Sequence, residues 1–426
     1  MTQEEQPILI AGAGLQGSCI ALELARRGLP VLLLDQDPQP MNRASLRNEG
    51  KIHLGLIYAA DPTFKTARLQ LTGGLRFRRL LERWIGEAAN QLSYSTPFTY
   101  LVARDSVLKP EELAEHYARL EEEYRAQLLV DPELDYLGSR PPFLARKLDA
   151  IPPQFAADRF QAAFATPELA IDTEQLACMI RSTLHASRLI DFRGGQTIRA
   201  TEVMGDRLRV EGDGPNGAFS ICAQQVVNAT WERRAALDCG MGIAPPQGLL
   251  HRLKYRVMVR VPAAMQQGPS ATMVVGRYGD VVIRPQGDTY LSWYPTGLRG
   301  WTSEIEPPRL WDEPCRGNPP AEIAREVGQC ALRYIDEWYP GIANSSIVTL
   351  DAGAIVAVGH TDVDDARSGL HDRTRIGVTS VNNYHTVDPG KMTTAPLFAL
   401  EAAKRIAERA GELRQDARFE DEELTT

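Results

Sequence analysis

The sequence predicts a protein of mixed α/β and α+β class, with a βαβ unit at the N-terminus and a second, discontinuous domain on a mixed or antiparallel sheet. In residues 8–35 a glycine-rich turn joins a short apolar run to an amphipathic helical pattern and a second apolar run. Residues 249–297 alternate strand-forming runs with Gly and Pro turns. The chain has 426 residues, 43% of them hydrophobic, which is enough for about two or three domains.

The N-terminal unit has the spacing of a dinucleotide site. A predicted strand at residues 8–11 leads into Gly12, Gly14 and Gly17 in a G-x-G-x-x-G pattern, and a second strand at 31–34 precedes Asp35. These glycines allow a tight turn, close approach of a pyrophosphate and close packing of helix on strand. The helix N-terminus favours the pyrophosphate charge. Asp35 is placed to bond a ribose hydroxyl, which favours FAD or NAD over NADP. This unit predicts a Rossmann-type domain.

A second G-x-G-x-x-G match, at residues 212–217, has a different interpretation. It lies between two strand-like runs, and no helical pattern follows it. Asp-Gly and Asn-Gly pairs are typical of tight hairpin turns. We therefore expect a hairpin there and no phosphate site.

Composition and charge exclude several classes of protein. The net charge of −8 and the lack of a basic run argue against a nucleic-acid partner. Apolar runs fall short of the roughly 20 residues of a membrane span, and the N-terminus lacks a signal-peptide pattern. The six cysteines are scattered, with no C-x-x-C pair. We expect a cytoplasmic protein with no transmembrane segment, reduced thiols and no metal site.

The segment after residue 42 has small and polar residues and no amphipathic period until Thr63, which suits backbone lying along a flat polar ligand. Its pattern resembles that of FAD-dependent oxidoreductases related to L-2-hydroxyglutarate dehydrogenase, within the D-amino-acid oxidase (DAO) superfamily. The residues that carry this resemblance are Ser45, Asn48, Gly50, Ile52, His53, Gly55 and Tyr58. The resemblance implies that this segment lies along the ribityl chain and the isoalloxazine ring.

Two later regions are similar to the same superfamily. Residues 170–184, 196–203 and 224–231 resemble its helix, its adenine-side strand and its V-V-N-A-x-G strand, with Trp231 where a glycine is common. Residues 387–410 resemble its flavin-facing loop and final helix, and "GKMTTA" is similar to a run in flavin-dependent glycerol-3-phosphate dehydrogenases. Together with the βαβ unit, this resemblance predicts an FAD site made of Gly12, Ala13, Gly14, Leu15, Gln16, Gly17, Asp35, Gln36, Ala44, Ser45, Asn48, Gly50, Ile52, His53, Ile198, Ala229, Thr230, Trp231, Asp388, Pro389, Gly390, Lys391, Met392 and Thr393.

The C-terminal segment also has a physical reading of its own. A turn at residues 388–390 precedes a helical pattern that begins near Thr393 or Thr394, either of which is a reasonable N-cap. Directed at the flavin N1–C2=O edge, this helix N-terminus would stabilise a reduced flavin, and Lys391 would add a full positive charge. A solvated side chain on a surface loop remains the alternative for Lys391.

Histidines are the candidates for proton transfer. His53 lies in the flavin-loop pattern and His385 just before the flavin-edge turn, so we assign both as candidate catalytic residues, with a structural role as the alternative. A covalent bond between His53 and the flavin is a further alternative. His360 could face the same cavity, whereas polar helical surroundings favour a surface position for His116 and His185.

The substrate domain is predicted from strands at residues 249–262, 271–287 and 289–297 and a helix at 109–129. Polar side chains on these strands include Arg252, Lys254, Arg256, Arg284, Tyr290, Trp293 and Tyr294. An arginine facing a cofactor can clamp a carboxylate or phosphate, whereas most arginines of a half-exposed sheet point to solvent. We select Arg284 and Tyr294 as the substrate-binding residues.

These observations predict an FAD-binding domain of residues 1–85, 165–245 and 345–426 and a substrate domain of residues 86–164 and 246–344. The predicted reaction is hydride transfer from a CH–OH carbon of a small hydroxy acid or polyol-like substrate to flavin N5. One alternative is an amine or amino-acid oxidase or dehydrogenase acting on CH–NH, and a second is a non-catalytic flavoprotein. The electron acceptor, whether oxygen, a quinone or a protein, is not determined by the sequence.

Overall fold

A computed structural model describes residues 4–285 and 287–411. Within this part of the chain the strands are β1 (Glu4–Ala11), β2 (Val31–Leu34), β3 (Lys51–Ile52), β4 (Phe98–Ala103), β5 (Arg146–Lys147), β6 (Phe160–Ala165), β7 (Leu169–Ala170), β8 (Ile190–Arg193), β9 (Thr197–Met204), β10 (Arg207–Gly214), β11 (Gly217–Asn228), β12 (Leu249–Arg260), β13 (Ser270–Val274), β14 (Gly279–Val282), β15 (Thr289–Trp293), β16 (Leu298–Thr302), β17 (Ser346–Val358), β18 (Gly377–Val381) and β19 (Tyr384–Asp388). The helices are α1 (Leu15–Arg26), α2 (Lys65–Ile85), α3 (Pro110–Val130), α4 (Thr173–Ala186), α5 (Arg234–Gly240), α6 (Tyr294–Gly297), α7 (Asp312–Cys315), α8 (Ala321–Asp336) and α9 (Ala395–Arg409).

The first sheet has the order β18-β19-β11-β1-β2-β8, and β9 and β10 extend it beside β11. Strand β1 pairs in parallel with both β11 and β2. A central parallel strand is covered on both faces, and accordingly Leu9 and Ile10 are fully buried. Helices α1 and α9 pack together, which places the last helix beside the first βαβ unit.

The second sheet has the order β16-β12-β15-β14-β13-β4-β6-β5, with β17 also paired to β12. It is mixed, because β13 and β4 are parallel while the pairs around β12 are antiparallel. Helix α8 packs on β12 and β15. The two sheets confirm the predicted class, a mixed α/β and α+β fold with a Rossmann-type unit and a second sheet of mixed direction.

One predicted boundary needs correction. The third segment of the predicted FAD-binding domain begins at residue 345, yet β17 belongs to the second sheet. It pairs with β12 over the full length of both strands, from Leu249 opposite Val358 to Arg260 opposite Ser346. This long antiparallel ladder assigns β17 to the second sheet, although in sequence the strand precedes the C-terminal flavin-loop region.

The second glycine motif forms a hairpin, as predicted. Strands β10 and β11 are antiparallel, and Gly214 lies opposite Gly217 at the turn. The C-terminal tail after Gly411 lies outside the described residues. In the described part of the chain, none of the helices is both long and apolar enough to cross a membrane.

Candidate active site

The glycine turn after β1 leaves no room for side chains. Gly12 has a φ of +95°, and a Cβ on it would lie 2.5 Å from the carbonyl oxygen of Ala229. A Cβ on Gly17 would lie 1.8 Å from the Gly12 carbonyl oxygen, so the helix can approach the strand only without one. A Cβ on Gly14 would meet the Ser45 hydroxyl at 3.0 Å. These contacts match the three roles that the spacing predicts.

Asp35 follows β2 and closes the turn from the other side. Its Oδ2 accepts a hydrogen bond from the Ala13 N–H at 2.6 Å, and its Oδ1 accepts one from the Asp37 N–H at 2.8 Å. Burial raises the pKa of Asp35 to about 6, against the effect of these two hydrogen bonds. The carboxylate borders the cavity beside Gln36, where the predicted ribose contact would form.

A long cavity runs from this turn to the end of β19. At one end lie the turn and Asp35, and at the other lie His53 and Lys391. Both sheets contribute to its wall. Of the predicted cofactor residues, those that line it are Gly12, Gly14, Leu15, Gln16, Asp35, Gln36, Ala44, Ser45, Asn48, His53, Ile198, Ala229, Thr230, Trp231, Pro389, Gly390, Lys391 and Met392.

The remaining predicted cofactor residues lie behind that wall and hold it in place: Ala13, Gly17, Gly50, Ile52, Asp388 and Thr393. Thr393 is buried, and its Oγ1 accepts a hydrogen bond from the His53 N–H at 2.9 Å. Asp388 forms an ion pair with Arg234 at 2.7 Å. Their side chains support the cavity and do not border it.

The loop after β2 is held by its own polar side chains. The Asn48 amide donates to the carbonyl oxygens of Ala44 and Ser45, at 2.8 and 3.1 Å, and its Oδ1 accepts from the Gly50 N–H at 2.7 Å. The Ser45 hydroxyl accepts from the Leu15 N–H at 2.8 Å, which ties the loop to the start of α1. The S-x-x-N-x-G part of the sequence pattern is therefore the set of residues that shapes this loop.

Trp231, at the last position of the V-V-N-A-x-G pattern, adopts a φ of +52°. This left-handed conformation is the one that glycine adopts without strain. The indole N–H donates to the Ala354 carbonyl oxygen at 2.8 Å, which anchors the side chain on β17. The ring lines the cavity.

The turn before α9 differs from the prediction in one detail, the N-cap of the helix. Helix α9 begins at Ala395, after a 3-10 turn at Met392–Thr394, as the pattern predicts. The Thr394 hydroxyl does not cap it, because it donates to the Pro389 carbonyl oxygen at 2.5 Å. Gly390 has a φ of +63°, and its N–H donates to Asp388. These bonds present Lys391 to the cavity.

His53 is buried at the wall of the cavity. Its Nδ1 has no hydrogen-bond partner among the described residues and lies 3.9 Å from Glu168 Oε1. Burial, and then the charges of Lys391 and Lys51, hold the pKa of His53 well below its usual value. The imidazole is therefore neutral at physiological pH.

Three charged side chains face the same end of the cavity: Glu49, Lys254 and Lys391. Within the described residues, neither lysine side chain forms a hydrogen bond or ion pair. Burial lowers the pKa of Lys391 to about 8, although the Glu49 charge acts in the opposite direction. Burial opposes ionisation of Glu49 too, but Lys391 and Lys254 hold its pKa below the usual value. The site carries more positive than negative charge.

Lys51, next to His53, is a buried lysine with partners. Its Nζ donates to the Thr272 hydroxyl, lies 3.3 Å from Asp280 Oδ1 and sits 3.9 Å from the centre of the Phe98 ring. Strand β3 and the second sheet thus meet at this ammonium. Its charge is matched, unlike that of Lys254.

The structure corrects three of the predicted site residues. Both nitrogens of His385 are bonded in the first sheet, Nδ1 with Ser380 at 2.9 Å and Nε2 with Gln225 at 3.0 Å. Arg284 is buried behind the wall, where it donates to the carbonyl oxygens of Glu49 and Ile171 at 3.4 and 3.3 Å. The Tyr294 hydroxyl donates to Asp362 at 2.5 Å. None of these three side chains lines the cavity.

Other histidines differ in part from expectation. His360 is exposed and does not line the cavity. His185 is exposed, as expected, whereas His116 is partly buried on α3 with its Nε2 3.1 Å from the Gly55 carbonyl oxygen. Its position near the Gly55 turn depends on the packing of α3, which the polar surroundings in sequence do not reveal.

Lys254, Arg256 and Tyr290 are among the polar strand residues named from the sequence but were not selected as substrate residues, and Glu49 and Lys51 were missed. All five line the cavity. A usable signal was present, because residues 252, 254 and 256 place three cations on one face of a single strand. Such a row is costly in a buried strand unless that face meets anions.

The fold and the cavity define a dinucleotide-dependent oxidoreductase. Residues 7–405 match the DAO family, described as FAD dependent oxidoreductase, and the chain belongs to this family. Two features of the cavity fit FAD. The glycine turn gives a cradle that a Cβ at Gly14 would partly fill, and the distant end offers Lys254 and Lys391, whose ammonium groups have no ion-pair partner in the described part of the chain. The protein is an FAD-dependent oxidoreductase.

Solved structures of similar fold extend over almost the whole chain. Glycine oxidase from Geobacillus kaustophilus superposes with a TM-score of 0.64 at 16% identity, covering 96% of this chain and 95% of that one. L-proline dehydrogenase from P. horikoshii has a TM-score of 0.64 at 15% identity, covering 97% and 100%. L-amino acid deaminase from Proteus vulgaris has a TM-score of 0.65 at 15% identity, covering 95% and 94%. At these identities the likeness concerns the fold.

A shorter match is closer in sequence. Over 81 residues the chain is 37% identical to the tRNA 5-methylaminomethyl-2-thiouridine biosynthesis bifunctional protein MnmC of Marinobacter nauticus. The match covers 19% of this chain and only 12% of that curated relative's length. The similarity therefore concerns one segment of a much longer protein.

Proposed function

We propose that the protein oxidises the C–N bond of a small amine that carries a carboxylate, such as an amino or imino acid. The observation that carries this proposal is the excess of positive charge at the far end of the cavity, from Lys254 and Lys391 against Glu49. This end would bind a carboxylate and would disfavour a substrate ammonium. The second effect favours the neutral amine, the form from which a hydride can leave.

FAD supplies the hydride acceptor when it is bound. The residues of this chain would then bind and orient the substrate. Lys254, on β12, would hold the substrate carboxylate. Lys391, at the turn before α9, would stabilise negative charge that develops beside it. His53 would line the site as a neutral group, and the backbone bond from its N–H to Thr393 fixes its position.

The weak basicity of His53 bears on the choice between amine and alcohol. Removal of a hydride from an alcohol needs a group that accepts the hydroxyl proton, and a base works best when its pKa is near the working pH. The pKa of His53 is held far below that range by burial and by two lysines. A neutral amine needs no such acceptor. The similar structures named above include a glycine oxidase and an L-amino acid deaminase, in agreement with this choice.

Oxidation of a CH–OH carbon is the second candidate, and one observation favours it. Lys391 faces the cavity, and its pKa is lowered to about 8. Its neutral form could accept a hydroxyl proton at mildly alkaline pH. In that case Lys391 would be the base for a hydroxy acid.

Anaerobic bleaching of the flavin by paired substrates separates the candidates. Alanine is compared with lactate, and glutamate with 2-hydroxyglutarate, in the wild-type protein and in Lys391→Met. We expect bleaching by the amino acid of a pair and not by its hydroxy counterpart, with bleaching retained in K391M at alkaline pH. Bleaching by the hydroxy acid alone, lost in K391M, would overturn the proposal and establish the second candidate. Lys65→Met, the same substitution at an exposed lysine that does not line the cavity, is the matched control.

A further inference from the structure

The two ring nitrogens of His53 have different surroundings. The ring lines the cavity, yet its Nδ1 is buried and has no hydrogen-bond partner among the described residues. The ring packs edge-on against Tyr58, with 5.6 Å between the ring centres. Nε2 is therefore the ring nitrogen that can meet a ligand in the cavity. A neutral imidazole donates through one nitrogen and accepts through the other, so the position of its single proton decides what Nε2 can do.

Glu168 is the group that faces Nδ1. It follows β6, is fully buried, and its Oε1 lies 3.9 Å from Nδ1. This distance is too long for a hydrogen bond, so the contact acts through charge, which is effective at a buried site. Oε1 accepts a hydrogen bond from the Leu54 N–H at 2.7 Å, and Oε2 accepts one from the Tyr100 hydroxyl at 2.5 Å. These two bonds hold the carboxyl group in place beside the imidazole.

This arrangement favours one of the two neutral forms of the ring. A lone pair on Nδ1 would point towards an oxygen that itself presents lone pairs, whereas an N–H there directs its positive end at that oxygen. Burial raises the pKa of Glu168, but Oε1 is an acceptor in either protonation state, because it receives the Leu54 N–H. The other charges that act on the ring are Lys51, Lys391 and Asp280, and the two lysines oppose a positive ring.

We propose that Glu168 is a positioning residue, which holds the proton of neutral His53 on Nδ1 so that Nε2 accepts a hydrogen bond from the substrate amine. The part about the amine rests on the proposed function, whereas the position of the proton does not. His53 would then orient the amine without removing its proton. The substrate class becomes narrower: primary and secondary amines have an N–H to donate, and a tertiary amine has none. A site built to bond such a group rejects an analogue that lacks it.

NMR of the FAD-loaded protein with 15N-labelled histidine rings measures the position of the proton. The protonated and unprotonated nitrogens of a neutral ring have well-separated shifts, and His53→Leu identifies the His53 signals. His116 is an internal reference, because its Nε2 lies 3.1 Å from the Gly55 carbonyl oxygen, which can only accept. We expect the opposite pattern for His53, with the proton on Nδ1. A proton on Nε2 of His53 would overturn the proposal.

Variants of Glu168 test its part in this choice. Glu168→Met removes both oxygens and should leave His53 as a mixture of the two neutral forms. Glu168→Gln should keep the proton on Nδ1, because its amide oxygen can accept the Leu54 N–H. Tyr100→Phe is the matched control, since it removes only the hydroxyl bonded to Oε2 and should leave the proton on Nδ1. A His53 proton that stays fully on Nδ1 in Glu168→Met would overturn the role of Glu168.

Thermal midpoint and flavin content identify a variant that has not folded. If Glu168→Met fails to fold, Glu168→Asp replaces it, because the shorter side chain withdraws the carboxylate from Nδ1 and keeps its charge. The fraction of His53 with its proton on Nδ1 should fall in that variant too, and an unchanged fraction would count against Glu168. The measurement on the wild-type protein does not depend on any variant.

Two matched anions test whether Nε2 accepts a hydrogen bond. Pyrrole-2-carboxylate and furan-2-carboxylate have nearly the same shape, but only the pyrrole carries an N–H, and each is titrated while the visible flavin spectrum is followed. We expect the pyrrole to bind about fivefold or more tightly, the effect of one hydrogen bond. The difference should disappear in His53→Leu and shrink in Glu168→Met. Equal affinities in the wild-type protein would overturn the accepting role of Nε2.

These binding and NMR results are independent of turnover. If the pyrrole is preferred and no amine bleaches the flavin, only the proposed function fails. If amino acids bleach the flavin and the two anions bind equally, only the accepting role of His53 fails.

Discussion

Charge matching distinguishes the residues that build the wall from those that face a ligand. Arg256 and Lys51 are buried cations with acidic partners, Asp351 and Asp280. Lys254 and Lys391 have none within ion-pair distance among the described residues, although both face the same cavity. Lys254 and Lys391 are only partly buried, so each ammonium group stays accessible to an anionic ligand in the cavity. This difference is why we assign ligand binding to Lys254 and a supporting role to Arg256.

The pKa of Lys391 makes anion binding depend on pH. Below about pH 8 its ammonium is charged and attracts a carboxylate, and above that value it is neutral. We expect butyrate to bind with constant affinity below pH 8 and progressively more weakly as the pH rises through 8, by up to about tenfold per pH unit. Titration of the visible flavin spectrum over this range measures the effect.

Two lysine variants provide the comparison. Lys391→Met should weaken butyrate binding below pH 8 and remove the decline above it. Lys254→Met should weaken binding at every pH and move the decline to higher pH, because the Lys254 charge helps to lower the pKa of Lys391. Affinity for butyrate that is the same one pH unit above and below 8 in the wild-type protein would contradict a role for Lys391 in anion binding.

At the scale of elements, the close packing of α1 on β1 depends on Gly17. A Cβ there would lie 1.8 Å from the backbone of Gly12, and backbone atoms cannot move aside as a flexible side chain can. We expect Gly17→Ala to destabilise the FAD-free protein by roughly 3 kcal/mol, at the upper end of overpacking effects. Its thermal midpoint should fall by roughly 3 °C.

Gly240→Ala is the control for this substitution. Gly240 ends α5, is exposed, and a Cβ there would come no nearer than 3.9 Å to the Thr201 carbonyl oxygen. Its free energy of unfolding should change by no more than about 1 kcal/mol. A Gly17→Ala protein as stable as Gly240→Ala would mean that the helix can shift without cost, against the geometry.

The elements that sequence predicts best are those whose partners are close in the chain. The β1-α1-β2 unit, the hairpin at residues 212–217 and helix α9 all depend on neighbouring residues, and each forms where it is predicted. The substrate side depends on distant pairing. The position of β17 beside β12 is set by a ladder between residues about 100 apart in sequence, and local patterns contain no sign of it.

The same reason explains the errors at the candidate site. Alternation along β12 indicates that Arg252, Lys254 and Arg256 share a face, but not which face meets the cavity. Arg284 and Tyr294 have the right chemistry for a substrate, yet Arg284, just after β14, contacts the Glu49 loop, and Tyr294, at the start of α6, contacts Asp362. His385 has the right place in sequence, but β19 points its ring towards Gln225. The sequence indicates which residue types could bind a substrate, whereas the direction of each side chain depends on how the strands pair in the sheet.

At the scale of the whole molecule, the cavity joins the two sheets. Its wall includes Gly12 and Asp35 from the first sheet and its turns, and Lys254 and Tyr290 from the second. A ligand that contacts both sheets binds the folded state and not the unfolded chain, and so stabilises it by mass action. FAD should therefore act as a structural link as well as a redox group.

Removal and return of FAD tests this linkage. At a free FAD concentration 100 times the dissociation constant, the folded state should gain about 2.7 kcal/mol, and the thermal midpoint should keep rising as FAD is increased. Gly14→Ala should weaken this response, because a methyl group there meets Ser45 at 3.0 Å and stands where the pyrophosphate approaches. The FAD-free midpoint of Gly14→Ala should stay near that of the wild type, since Ser45 is a side chain that can adjust, in contrast to the backbone contact at Gly17. A full FAD response in Gly14→Ala would mean that the pyrophosphate does not approach this turn, and the cofactor would have to enter the cavity in another orientation.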